Sequence, residues 1–178
     1  MINIKTPHEI GLMRESGRLL YNCMQEVLGH VKPGVTTMQL DRIVEQYLGD
    51  AGATPSFKGY NGFPGSICTS VNDGVVHGIP SDKKVLRDGD ILSIDMGAIL
   101  GGWQSDMART VAVGDITSTE QLLIDVTRES FFAGMREARA GNRLRDISRA
   151  IEAVIKGNDM GIVRELVGHG IGREMHES

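Results

Sequence analysis

Two short segments, Ile94-Asp95-Met96-Gly97 and Ser105-Asp106-Met107-Ala108, each set one carboxylate in an otherwise apolar, β-prone run. Turning the two runs about Leu100–Gly101 makes residues whose numbers sum to about 201 face each other. Asp95 then stands directly opposite Asp106, with Cβ atoms about 4.5–5.5 Å apart. Opposed carboxylates repel, and an unpaired charge is expensive in apolar surroundings. Two metal ions about 3.5–4 Å apart would resolve the conflict, because they accept bridging carboxylates and activate a water. The bland alternative is that one Asp caps the turn or lies on a solvent face. A register slip of one residue would send the two carboxylates to opposite faces.

Three histidines could join them. His169 sits in Gly168-His169-Gly170-Ile171-Gly172, where the glycines leave room for close approach to the imidazole. Imidazole is the commonest protein metal ligand. His176, seven residues on, could stabilise an oxyanion or position a carbonyl. His77 follows a β-prone run within Asn72-Asp73-Gly74-Val75-Val76-His77-Gly78-Ile79-Pro80, and loops at strand ends often carry function. Any one of these histidines alone is more often a structural residue than a ligand.

The elements that must position these groups can be read from periodicity and punctuation. Thr6, Pro7 and Glu9 form a helix start with a capping box. Ile10, Met13, Gly17, Leu20, Met24, Val27 and Leu28 give that helix one face, and Lys32-Pro33-Gly34 ends it. A second helix begins near Thr36–Thr37, carries Leu40, Ile43, Val44, Tyr47 and Leu48, and ends at Gly49 and Gly52. Between Thr54 and Val113 come short β-prone runs, Ile67–Val71, Ile91–Met96 and Asp106–Val113, which predict an antiparallel unit. Two further helices are expected over about Thr119–Arg139 and Leu144–Lys156. A shift of 107 residues lays Gly34 on Gly141, Leu40 on Ile147, Arg42 on Arg149, Val44 on Ile151, Glu45 on Glu152 and Leu48 on Ile155. An internal duplication of a helix pair plus strands follows as the working expectation.

Composition sets the frame. The chain has 178 residues, 40% hydrophobic and 24% charged, with a net charge of −4, which does not suggest a nucleic-acid or membrane surface. It has no apolar run of about 18 residues and no secretory leader pattern. Cys23 and Cys68 fit no zinc motif, and free thiols in a reducing cytoplasm are expected.

Taken together, Gly59-Tyr60-Asn61-Gly62-Phe63-Pro64, Ser66-Ile67-Cys68, Asn72–Pro80, Gly89–Asp95, Asp106–Val113, Gly168–Gly172 and His176-Glu177 resemble the type I methionine aminopeptidases. The resemblance runs from about residue 4 to the end. It implies the α+β pita-bread fold, a duplicated architecture with an antiparallel sheet covered by helices. Residues 1–178 would be one catalytic domain, with 1–113 its first half and 114–178 part of the second. Asp95 would bind one metal, Asp106 would bridge two, and His169 would ligate the second. The cofactors would be two divalent ions (Mn, Fe, Co or Zn). His77 would contact the scissile amide region and His176 would stabilise the tetrahedral intermediate. Phe57, Tyr60, Phe63 and Cys68 would line the methionine pocket, with its shape at Met175 open. The partners would be nascent polypeptide N-termini with a small second residue, at or near the ribosome, with no nucleic-acid specificity and no membrane. The intact family member would be a cytoplasmic monomer.

The resemblance also implies two glutamate ligands from second-half strands, one of them the proton shuttle. The 107-residue offset carries Asp95 to about 202, so the chain is expected to stop in mid-unit. A polypeptide with Asp95, Asp106 and His169 but neither glutamate is expected to show little or no activity. Two rival readings stay open: a proline-specific metallopeptidase of the same fold, and a non-catalytic protein that keeps the fold to bind a partner.

Overall fold

Thr6 opens the first helix as the capping pattern predicts. Its hydroxyl accepts from the Glu9 amide at 3.3 Å, and the Glu9 carboxylate accepts from the Thr6 amide at 2.8 Å. The computed structural model describes residues 2–178. Helix α1 spans Pro7–Leu28 and buries Leu20, Cys23, Met24 and Val27 along one stripe. Helix α2 spans Thr37–Asp50, begins with a second capping box from Thr36 and Gln39, and buries Leu40, Val44 and Leu48. It runs through Gly49, one of the two glycines expected to end it.

These stripes cover one face of an antiparallel sheet. Strand β1 is Thr54–Pro55, β2 is Ile67–Val71, β3 is Asp90–Leu100 and β4 is Trp103–Val113. β2 matches the expected run, whereas β3 and β4 extend to meet at a two-residue connection. β3 is the centre. β1 and β2 lie along one of its edges and β4 along the other. Side chains alternate across a strand. On β3, Leu92, Ile94, Met96 and Ala98 therefore point one way, into a core shared with Leu20, Met24, Val27, Leu40, Val44 and Leu48. Burying each large side chain of this kind contributes roughly 1.5–3 kcal/mol. Asp95, Gly97 and the β2 residue Cys68 point the other way. The core stripe thus decides which face is left for chemistry.

The register of β3 and β4 corrects one expectation. Leu100 pairs with Trp103, Asp95 with Ala108 and Gly97 with Asp106, so facing residues sum to 203 rather than 201. The reason lies in the turn. Gly101 and Gly102 both have positive φ, 58° and 78°, and together form a two-residue hairpin connection that most side chains would strain. Asp95 and Asp106 are diagonal neighbours rather than directly opposed. The offset is even, so both remain on the same face.

The chain divides into two compact units, the residues up to Ile116 with His169–Ser178, and Thr117–Gly168. The second contains α3, Ser118–Glu137, and α4, Leu144–Lys156, close to the expected bounds. The α+β architecture, with an antiparallel sheet under helices, agrees with the expectation. Among the described residues no helix is long and apolar enough to cross a membrane.

Candidate functional site

The sheet face opposite α1 and α2 carries the carboxylate pair. Asp95 on β3 and Asp106 on β4 lie diagonally across the ladder, both on this face. Burial pushes both carboxyls above the usual carboxylate range, and at Asp95 the charge of Asp106 adds to the effect. Two neighbouring buried carboxyls resist ionising together, and a bound cation would relieve that conflict.

The segment after Gly168 returns to this face. Gly170 and Glu177 pair in an isolated bridge, with amide-to-carbonyl distances of 2.9 and 2.8 Å. The Gln104 amide of β4 donates to the Gly172 carbonyl at 2.8 Å, which ties the segment to the sheet. His169 Nε2 consequently lies 4.0 Å from Asp106 Oδ2. Its Nδ1 is 2.9 Å from the Gly170 carbonyl, an acceptor only, so Nδ1 carries a proton and Nε2 is the nitrogen that faces Asp106. The nearness of His169 favours ionised Asp106, opposing the burial effect. The His176 ring centroid lies 4.3 Å from that of His169, and its Nδ1 is 2.9 Å from the Tyr60 hydroxyl.

These groups line one cleft of about 620 Å³ together with Phe57, Phe63, Cys68 and Met175. Phe57, Cys68 and Met175 form a small apolar cluster separate from the main core, with Phe63 packed against it. Burial pushes the Cys68 thiol up to about 12, so it serves as an apolar wall rather than a nucleophile. His77 also lines the cleft, with a positive φ of 57°. Its loop is clamped to β2, since the Thr69 amide donates to the Gly78 carbonyl at 2.7 Å and the Gly78 amide donates to Ser70 Oγ at 3.1 Å. Gly78 is needed there, because a Cβ would overlap the Thr69 carbonyl oxygen.

All the residues singled out from the sequence, Asp95, Asp106, His169, His77, His176, Phe57, Tyr60, Phe63 and Cys68, therefore meet at this cleft. Asn61 and Ile79 also line it, and sequence reasoning had not assigned them to the pocket; Met175, at which the sequence left the pocket's shape open, lines it too. Met175 is 6% exposed, so its side chain is buried in the pocket wall. Two carboxylates and an imidazole are donor types that suit a divalent cation. They do not yet converge on one point. Among the described residues no group of three or more His, Cys, Asp or Glu side chains is arranged to hold a metal ion.

Comparison with known proteins gives a consistent result. Residues 11–178 match the model of metallopeptidase family M24. The chain is 50% identical over 177 residues to methionine aminopeptidase 1 of Bacillus subtilis (strain 168), spanning 99% of this chain and 71% of that one. It is 52% identical over 177 residues to methionine aminopeptidase of Clostridium acetobutylicum, with the same coverage of 99% and 71%. Among solved structures, methionine aminopeptidase from Rickettsia prowazekii superposes with a TM-score of 0.98 at 40% identity, over 100% of this chain and 71% of that one. An Xaa-Pro dipeptidase from Bacillus anthracis superposes at 0.84 and 27% identity, over 98% and 48%.

Proposed function

The chain belongs to metallopeptidase family M24 and, within it, to the methionine aminopeptidases, and from that premise we propose that its cleft holds the N-terminal methionine of a new polypeptide for hydrolysis of the first peptide bond. The observation that carries this reading is the meeting of Asp95, Asp106, His169, His77 and His176 with an apolar patch of Phe57, Phe63, Cys68 and Met175 in one cleft. Sulfur and aromatic walls suit a thioether side chain. The carboxylates beside them would lie next to the α-amino group and the scissile carbonyl of a methionine seated there.

Asp95, Asp106 and the Nε2 of His169 would hold divalent cations, which supply Lewis acidity at the carbonyl and an activated water. The protein's own contributions follow from the hydrogen bonds. The 2.9 Å contact between the Tyr60 hydroxyl and Nδ1 of His176 holds that ring, and in the tautomer in which Tyr60 donates, Nε2 would carry the proton toward charge developing on the carbonyl oxygen. His77, fixed by the clamp on Gly78, stands beside the amide of the second residue. The substrates are nascent N-termini with a small second residue, and the setting is the cytoplasm, where such chains emerge. The ion is Mn²⁺, Fe²⁺, Co²⁺ or Zn²⁺, all compatible with oxygen and imidazole donors.

Among the described residues the cleft lining contains two carboxylates, Asp95 and Asp106, and no third acid–base carboxyl. The 178-residue polypeptide by itself therefore holds metal weakly and turns over slowly. Methionine release from Met-Ala-Ser with added Mn²⁺ or Co²⁺ should fall far below that of the Bacillus subtilis relative, and comparable rates would overturn this part. Recognition is tested separately by NMR. L-Methionine should shift the Met175 and Phe57 signals, and Ala-Pro should not. A stronger response to Ala-Pro would favour the proline-specific reading, and no response to either would favour a non-catalytic role.

A further inference from the structure

Lys5 and Glu177 lie 172 positions apart yet form an ion pair whose side chains are only 17% and 10% exposed. Neither belongs to the cleft lining. Lys5 Nζ also donates to the Asn3 carbonyl at 3.0 Å, so the ammonium is held on the N-terminal segment. The Glu177 carboxylate does more than answer that charge. Its Oε1 accepts from the Arg173 amide at 3.0 Å, while Oε2 faces Lys5. It therefore closes the turn that runs back from Glu177 to Arg173, and the Gly170–Glu177 bridge closes the same hairpin one step outside.

The hairpin has no slack at this point. A Cβ on Gly172 would overlap the Glu177 carboxylate and stand 2.7 Å from Lys5 Cε, so glycine there makes room for the pair. His169 flanks the Gly170 end of the hairpin. His176 sits between Glu177, held by Lys5, and Met175, held in the apolar cluster. Fixing Glu177 thus fixes the backbone from which both imidazoles project.

We propose that Lys5 and Glu177 are a positioning pair, in which the N-terminal segment locks the 170–177 hairpin so that His169 points at Asp106 and His176 meets Tyr60. This rests on the reading of His169 and His176 as site residues. Removing either charge loosens the hairpin locally, because the Arg173 amide bond, the Gly170–Glu177 bridge and the Gln104–Gly172 bond must then hold it without the ion pair. Arginine at position 5 keeps the charge and the donors, and preserves the lock.

Amide hydrogen exchange and the Tyr60–His176 ring contact, both read by NMR on the 178-residue chain, test this. Lys5→Met should speed exchange at Gly170 and Glu177 by about tenfold and weaken the ring contact, with the Leu92–Met96 amides unchanged. Glu177→Gln should reproduce this pattern, and Lys5→Arg should match the parent chain. Unchanged exchange at Gly170 and Glu177 in both variants would overturn the proposal. So would equal acceleration across β3, or Lys5→Arg behaving like Lys5→Met. None of these readouts depends on turnover. A chain that ignored methionine yet showed this pattern would refute the catalytic reading and leave the positioning pair standing.

Discussion

Asp41 gives the sharpest stability test. It lies on α2, is 4% exposed, and its Oδ1 accepts from the Ser66 amide at 2.6 Å and the Ile67 amide at 3.1 Å. Those amides open β2, the strand that carries Cys68 into the cleft. Both donor residues are fully buried, so water cannot replace the carboxylate. Asp41→Ala leaves two buried N–H groups unpaired, at about 1–3 kcal/mol each, for a total of about 2–6 kcal/mol. Against a typical domain stability of about 5–15 kcal/mol, that is a large loss. Asp41→Asn keeps the acceptor oxygen and removes a buried charge, and should stay within about 1 kcal/mol of the parent. Burial raises the Asp41 carboxyl above its ordinary value, so the folded chain binds this proton more tightly than the unfolded chain. Its contribution to stability therefore declines as pH rises from about 4 through the folded value, and Asp41→Asn removes that slope. Urea unfolding followed by the fluorescence of Trp103, the one tryptophan, measures all three chains. A loss below about 0.5 kcal/mol in Asp41→Ala, or equal damage in Asp41→Asn, would refute the reasoning.

Other expectations follow from the same geometry. In the metal-free chain Asp95 is raised to about 7, so stability should fall as pH rises from about 4 through about 7. Asp95→Asn should flatten that dependence and stabilise the chain at pH 8 by on the order of 2 kcal/mol, less than the full shift because the cleft is open to water, as read by urea unfolding. Gly78→Ala forces the loop off the Thr69 carbonyl and should cost about 3 kcal/mol in thermal melts, with the His77 resonances displaced. Met175→Ala should cost about 2 kcal/mol, at the low end for a buried side chain because the site opens to the cleft, and should weaken L-methionine binding about tenfold by NMR titration.

Much of this site was legible in local patterns, and particular residues show why. Thr6, Pro7 and Glu9 mark the start of α1 because a capping box is made within four residues. The pairing of Asp95 with Asp106 on one face was legible through parity alone. The turn was placed one residue early, at Leu100–Gly101, yet a sum of 203 in place of 201 preserves the face. The Gly-Gly pair held the correcting signal, since two adjacent positive φ angles define the tight hairpin. Lys5 was not legible, because nothing near it in sequence announces a partner 172 residues away. The left-handed backbone of His77 and Asn61 was equally hidden, being imposed by loop closure around the cleft. The tautomers of His169 and His176 depend on a backbone carbonyl and on Tyr60, contacts that only the folded chain creates.

The central claim is that Asp95, Asp106 and His169 form a metal centre beside a methionine pocket. Calorimetric titration of Mn²⁺ into the metal-free 178-residue chain tests it most directly. One weak site is expected, with its heat lost in both Asp106→Asn and His169→Ala and retained in the control Arg42→Gln, whose parent side chain pairs with Asp82 on the surface. Mn²⁺ binding that persists undiminished in Asp106→Asn, or no binding by the parent chain at all, would contradict it.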